Sequence, residues 1–158
     1  MQHSLFKILT LSLTLLSCTS AWSTDVETLL AGKQAPYGVV FEIVSGEPGI
    51  LKKLLPEIKA DIKKLRDRFP ELPVAIVTHG NEQFALLTEN RSSETVAHSL
   101  VEELVKSNDV DVHVCGTHAQ WKNKAPEDFP DYVNVSATGP AQIKDYVALG
   151  YELITLPW

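Results

Sequence analysis

The chain is poor in cysteine: two residues, Cys18 and Cys115, in 158. Cys18 falls in a leader-like start, so the folded domain keeps one thiol and cannot form an internal disulfide. Basic charge is scarce as well, with 14 Lys and Arg against 20 Asp and Glu. Taking away Met1 to Ser23 removes only Lys7, which leaves 13 basic residues against the same 20 acidic ones and a net charge near −7 with neutral histidines. Nucleic acid is excluded as an expected partner, because phosphate neutralisation needs a basic patch. A role on a membrane surface finds no support either. After the leader no apolar run is long enough to span a bilayer. Phosphate loops, serine nucleophile elbows and dinucleotide fingerprints are missing, so no cofactor is expected. Internal repeats and low-complexity tracts are also missing.

What is present describes one soluble domain behind an export signal. With 44% hydrophobic and 22% charged residues, the chain has enough apolar material for a core. Residues 1–23 begin with Lys7, continue through an apolar run from Ile8 to Leu16, and end in small residues, the pattern of a secretory signal peptide. Cleavage after Ala21 or Ser23 fits that pattern. The run Leu15-Leu16-Ser17-Cys18 also looks like a bacterial lipoprotein box, in which Cys18 is lipidated and becomes the mature N-terminus. Either way the expected location is the periplasm.

Residues 24–36 have no clear period and read as an N-terminal arm or linker with room for one helical turn. Tyr37 to Val44 is an apolar strand interrupted only by Glu42. The apolar residues from Leu51 to Phe69 recur at helical spacing with Lys and Arg mostly on the other side, Pro56 marking a kink or restart. Pro73 to Thr78 is a second strand, ending at His79-Gly80. Phe84 to Leu87 is an apolar patch too brief to classify. A helix opens at Ser92-Ser93, and the strand Val110 to Cys115 follows it directly. Thr117 is the expected cap of a short helix, Val133 to Ser136 a short strand, Gly139-Pro140 the start of a last helix, and Tyr151 to Leu156 the final strand. Strand and helix alternate throughout residues 37–158. The expected fold class is α/β, with a mainly parallel sheet.

The stretch Val110 to His118, VDVHVCGTH, carries the most chemistry. Alternation puts Asp111, His113 and Cys115 on one strand face. Cys115 stands where strand becomes helix, an address at which a thiolate is stabilised by helix N–H groups. His79 also ends a strand, and sites in open parallel sheets form beyond such ends. If the two strands are neighbours, the His79 imidazole lies near the thiol, and His118 offers a second base. The candidate catalytic residues are therefore Cys115, His79 and His118. A buried, inert Cys115 and solvated histidines are the bland alternative. A metal reading through His113, Cys115, His118 and His79 also exists, but H-x-C-x-x-H has little specificity, and no metal site is assigned.

Three motifs in order, V-T-H-G at Val77 to Gly80, V-x-V-C-G at Val112 to Gly116, and L-G-Y-x-x-I-x-x-P at Leu149 to Pro157, resemble the DsrE/DsrF-like family, of YchN-like fold. The resemblance spans about Tyr37 to Trp158. It implies a three-layer α/β/α fold with a five-stranded, mainly parallel sheet, assembled into trimers or hexamers. In the sulfur-trafficking members, the cysteine matching Cys115 carries a persulfide sulfur and passes it to a partner. The expected function is an exported sulfur carrier or sulfurtransferase-like protein that exchanges sulfur with a donor or acceptor protein or a small sulfur species. The alternative is a non-catalytic binding or assembly module. Polar Glu42, Asp111, His113 and Asn134 within strands need partners, and a homo-oligomer with Asp111 and His113 near the subunit contact would supply them.

Overall fold

The computed structural model describes residues 24–156; the expected signal peptide with Cys18, and Pro157 and Trp158, lie outside the described residues. Helix α1 (Val26–Ala31) is followed by β1 (Gly38–Ile43), α2 (Leu51–Arg68), β2 (Val74–Thr78), α3 (Thr95–Asn108), β3 (Val110–Cys115), α4 (Gly116–Trp121), β4 (Asn134–Ser136), α5 (Gly139–Ala148) and β5 (Tyr151–Thr155). The five strands form one sheet in the order β4-β3-β2-β1-β5, and every pairing is parallel.

The topology follows from the handedness of crossovers. From β1 to β3 the chain steps along the sheet in one direction, so right-handed connections put α2 and α3 on the same face. The step from β4 to β5 runs back the other way and carries α5 to the opposite face. The result is three layers. On the first face Phe41, Ile43, Ile76, Val112 and Val114 meet the α2 stripe of Leu51, Leu54, Leu55, Ile58, Ile62 and Leu65, all nearly inaccessible. The second face is smaller, with Val40, Ala75 and Val77 under Ile143 and Tyr146 of α5.

Several local expectations are revised. Pro56 does not mark a restart of α2, which runs unbroken through it. It is exposed and lies early in the helix, so the Lys52 carbonyl that loses its partner is one water can serve. Arg66 leaves the solvated face and donates to the carbonyls of Leu72, Asn108 and Asp109, tying the end of α2 to the starts of β2 and β3. Residues 24–36 hold α1, capped by the Asp25 carboxylate accepting from the Thr28 N–H, and Val26 enters the core. Helix α3 begins at Thr95 rather than at Ser92-Ser93, which lie in the preceding turn. The brief patch from Phe84 belongs to a 3-10 stretch, Asn81–Leu86, in which Glu82 and Gln83 are fully buried.

Candidate functional site

Beyond the C-terminal ends of β2, β3 and β4 lies a cleft of about 460 Å³. The chain leaves β3 toward the first face, where Ala119, Phe129 and Tyr132 join the core, and leaves β4 toward the second face through α5. Strand-end loops that part in this way open a crevice between them. Cys115 and His118 line one side, Thr138 and Pro140 at the start of α5 line the other, and His79 and the exposed Trp121 complete it. All three residues picked from the sequence share this cleft.

Cys115 is 6% exposed and is itself the cap of α4, a role expected of Thr117. Its Sγ accepts from the His118 backbone N–H at 3.4 Å. The Cys115 N–H donates to Gln83 Oε1 at 2.7 Å. Gln83 therefore fixes the backbone at the strand-to-helix junction from a separate loop, and its Nε2 finds no partner among the described residues. Thr117 instead ties the β3 end to the β4 end, donating to the Ala137 carbonyl at 2.9 Å.

The two imidazoles can be assigned from their partners. His118 Nδ1 lies 3.0 Å from the His79 carbonyl, which only accepts, so Nδ1 bears a proton and the lone pair of the neutral ring sits on Nε2. Its ring meets Phe84 edge-on, with centroids 5.1 Å apart. His79 Nε2 lies 2.9 Å from Glu42 Oε1, so there Nε2 bears the proton and Nδ1 the lone pair. Neighbouring strands do bring His79 and Cys115 to one cleft, but no hydrogen bond joins either imidazole to the sulfur among the described residues. The direct partner of the sulfur is a backbone N–H.

Two carboxylates, one buried and one half-buried, shape the surroundings of the cleft. Glu82, fully buried, accepts from the Thr78 hydroxyl at 2.6 Å, the Gly80 N–H at 2.9 Å and the Ser45 N–H at 2.7 Å. A Cβ on Gly80 would collide with that carboxylate and with the Ser45 backbone, so only glycine allows the approach. Glu42 lies on β1 beside Val77 and Thr155 and holds His79. Sequence reasoning saw Glu42 as a polar intruder but not its partner. The available signal was its isolation in an otherwise apolar strand.

His113 stands apart. Ser136 gives its hydroxyl proton to Gln142 Oε1 at 3.0 Å, so it accepts from His113 Nδ1 at 2.8 Å. With His113 neutral, its Nε2 accepts from the Tyr146 hydroxyl at 2.8 Å, in preference to Asp111 Oδ2, which lies 3.5 Å from the same hydroxyl. This relay requires a neutral His113, and burial holds its pKa below the ordinary value. Burial, and Asp111 beside it, push the Tyr146 phenol well above its usual range. The partners expected from a second subunit are supplied from within the chain: His113 by Ser136 and Tyr146, and Glu42 by His79 and Thr155. Among the described residues no three of His, Cys, Asp or Glu gather to hold a metal ion.

The fold has known counterparts. A protein of unknown function from Methanobacterium thermoautotrophicum, MTH1491, superposes with a TM-score of 0.58 and 16% identity, over 76% of this chain and 99% of its own. The YchN protein from E. coli superposes with a TM-score of 0.53 and 13% identity, over 75% of this chain and 98% of its own. The chain has the YchN-like fold. No protein-family model and no curated protein matches the sequence. Among the described residues no helix is long and apolar enough to cross a membrane.

Proposed function

We propose that the protein is an exported sulfur carrier of the DsrE-like kind, with Cys115 as the atom that takes and gives sulfur. The observation that carries the reading is the Cys115 sulfur lining a cleft at the strand ends, held by a backbone N–H, with two imidazoles along the same walls. The YchN-like fold supports the same family reading. In the loading step the Cys115 thiolate attacks the outer sulfur of thiosulfate or of a polysulfide. A Cys–S–S bond forms, the donor's S–S bond breaks, and sulfite or a shortened polysulfide leaves with the electron pair. One imidazole of the cleft, that of His79 or of His118, takes up the thiol proton. The persulfide then hands its outer sulfur to an acceptor thiol by the reverse chemistry.

Intact-mass measurement after incubation with thiosulfate or polysulfide tests this. The wild-type protein is expected to gain sulfur and Cys115→Ser to gain none; equal gain by both, or gain by neither, refutes it. The low exposure of Cys115 favours a second reading, an inert thiol in a non-catalytic binding module. Under that reading iodoacetamide labels Cys115 only after unfolding, whereas a carrier is labelled in the native state. Export completes the proposal, and N-terminal sequencing of the mature chain is expected to start at Trp22 or Thr24, or to find a lipidated Cys18. A homo-oligomer, trimer or hexamer, belongs to the same reading. Exposed Tyr37, Val147 and Leu149 give it apolar surface to bury, and a monomer by light scattering overturns it.

A further inference from the structure

We propose that Glu42 is a positioning residue for His79, holding that imidazole in the one tautomer that presents a basic Nδ1 to the cleft; the proposal rests on the sulfur-carrier reading. Glu42 is the single charged residue of β1, whose other members are buried and uncharged. Its side chain is 21% exposed and that of His79 16%. Oε1 accepts from His79 Nε2 at 2.9 Å, and Oε2 accepts from the Thr155 hydroxyl on the neighbouring strand at 3.0 Å. Both oxygens are thus occupied as acceptors, which fixes the carboxylate on the central strands. The imidazole is held from its other side as well. A Cβ on Gly139 would lie 2.5 Å from His79 Cβ and 2.8 Å from Cγ, so the first turn of α5 sits directly against it.

A carboxylate accepts and never donates, so Nε2 must keep its proton and Nδ1 is left with the lone pair. Nδ1 has no protein partner among the described residues, and His79 lines the cleft that holds Cys115. When the Cys115 sulfur attacks a donor, its proton passes through cleft water to His79 Nδ1. The imidazolium so formed lies against Glu42, whose negative charge compensates it. The His79 carbonyl also receives the His118 Nδ1 proton at 3.0 Å, and the His118 backbone N–H caps the sulfur. A carboxylate on β1 is in this way connected through two histidines to the thiol on β3.

The test compares wild type, Glu42→Gln and Glu42→Asp by nitrogen-15 shifts of the His79 ring and by the rate of sulfur transfer from thiosulfate to Cys115. A carboxamide can donate or accept, so Glu42→Gln frees the tautomer. We expect a mixed tautomer with transfer slowed about tenfold to a hundredfold, and Glu42→Asp, which keeps the acceptor, recovering most of the rate. A purely structural tie would lower the unfolding midpoint and leave the tautomer as it was; an unchanged tautomer, or an unchanged rate with a changed tautomer, overturns the proposal. The wild-type spectrum needs no variant that folds. A neutral ring protonated on Nδ1 overturns it outright. If wild type takes up no sulfur, the carrier reading fails by itself, and the proposal is judged on the rate of native iodoacetamide alkylation of Cys115, which needs the same proton removed: slowing in Glu42→Gln supports it and no change refutes it.

Discussion

Replacing Glu82 by glutamine alters one oxygen and removes one charge, and the structure allows the cost to be worked out bond by bond. In the wild type Oε1 serves two donors, the Thr78 hydroxyl and the Gly80 N–H, while Oε2 serves the Ser45 N–H. A carboxamide has one acceptor oxygen. The cheaper orientation keeps it on the two donors and turns the NH₂ toward the Ser45 N–H, leaving that backbone donor unpaired at a cost of about 1–3 kcal/mol. Each of the two surviving bonds falls from charge-assisted to neutral strength, a loss of roughly 1 kcal/mol apiece. The sum is about 3–5 kcal/mol, a large part of the 5–15 kcal/mol that holds a typical domain together. Urea unfolding followed by circular dichroism measures it, with the slope against denaturant unchanged and a melting temperature lowered by roughly 10–20 °C. Glu89→Gln, whose partner Lys124 and own side chain sit at the surface, is the control and is expected to change stability by less than about 1 kcal/mol. A loss of under about 1 kcal/mol for Glu82→Gln refutes the reasoning.

Stability should also depend on pH through His113 and His98, both of which burial holds below their ordinary pKa. The unfolded chain then binds more protons than the fold, so their contribution is complete above pH about 6.5 and is lost as the pH falls toward the lowered folded-state values. Unfolding measured at pH 7.5 and at mildly acid pH checks this; His113→Gln is expected to flatten the dependence, and an unaltered slope counts against the neutral relay through Ser136 and Tyr146. Gly139→Ala puts a methyl group 2.5 Å from His79 Cβ and is expected to cost about 1–3 kcal/mol although alanine is the better helix former. A stabilised variant in the same unfolding assay would show that His79 is free to move aside.

The strands were legible because β-branched runs such as Val74–Thr78 and Gly38–Ile43 are buried on both sides, and that burial writes itself as continuous apolar sequence. The stripe of α2 was legible for the same reason. Periodicity fails where polar groups are buried to serve the backbone. Glu82 and Gln83 are fully inaccessible, yet Phe84 beside them is not, so the segment inverts the usual rule; its logic lies in the Gly80 N–H just before it and in N–H groups of Ser45 and Cys115 that are far away in sequence. The three candidate residues were picked at or just beyond strand ends, which topology converts into one cleft. Glu42 was missed as a partner of His79 because nothing local pairs a residue on β1 with one after β2. The cap of α4 was misplaced by two residues, since sulfur is a weak acceptor and a threonine nearby is the better guess on chemistry alone.

The place of β5 has a consequence for how the molecule comes into being. Strand β1 lies inside the sheet, yet one of its two neighbours is β5, the last strand among the described residues, paired Gly38 to Tyr151 across more than a hundred residues. During synthesis β1 must wait for more than a hundred further residues before that flank is covered. Until then Val39, Val40 and Phe41 offer an open row of backbone donors and acceptors beside apolar side chains, the kind of edge on which a second chain can add. Closing so long a loop is slow. Truncation near Gly150 therefore leaves a molecule whose middle has become an edge, and self-association is its expected fate.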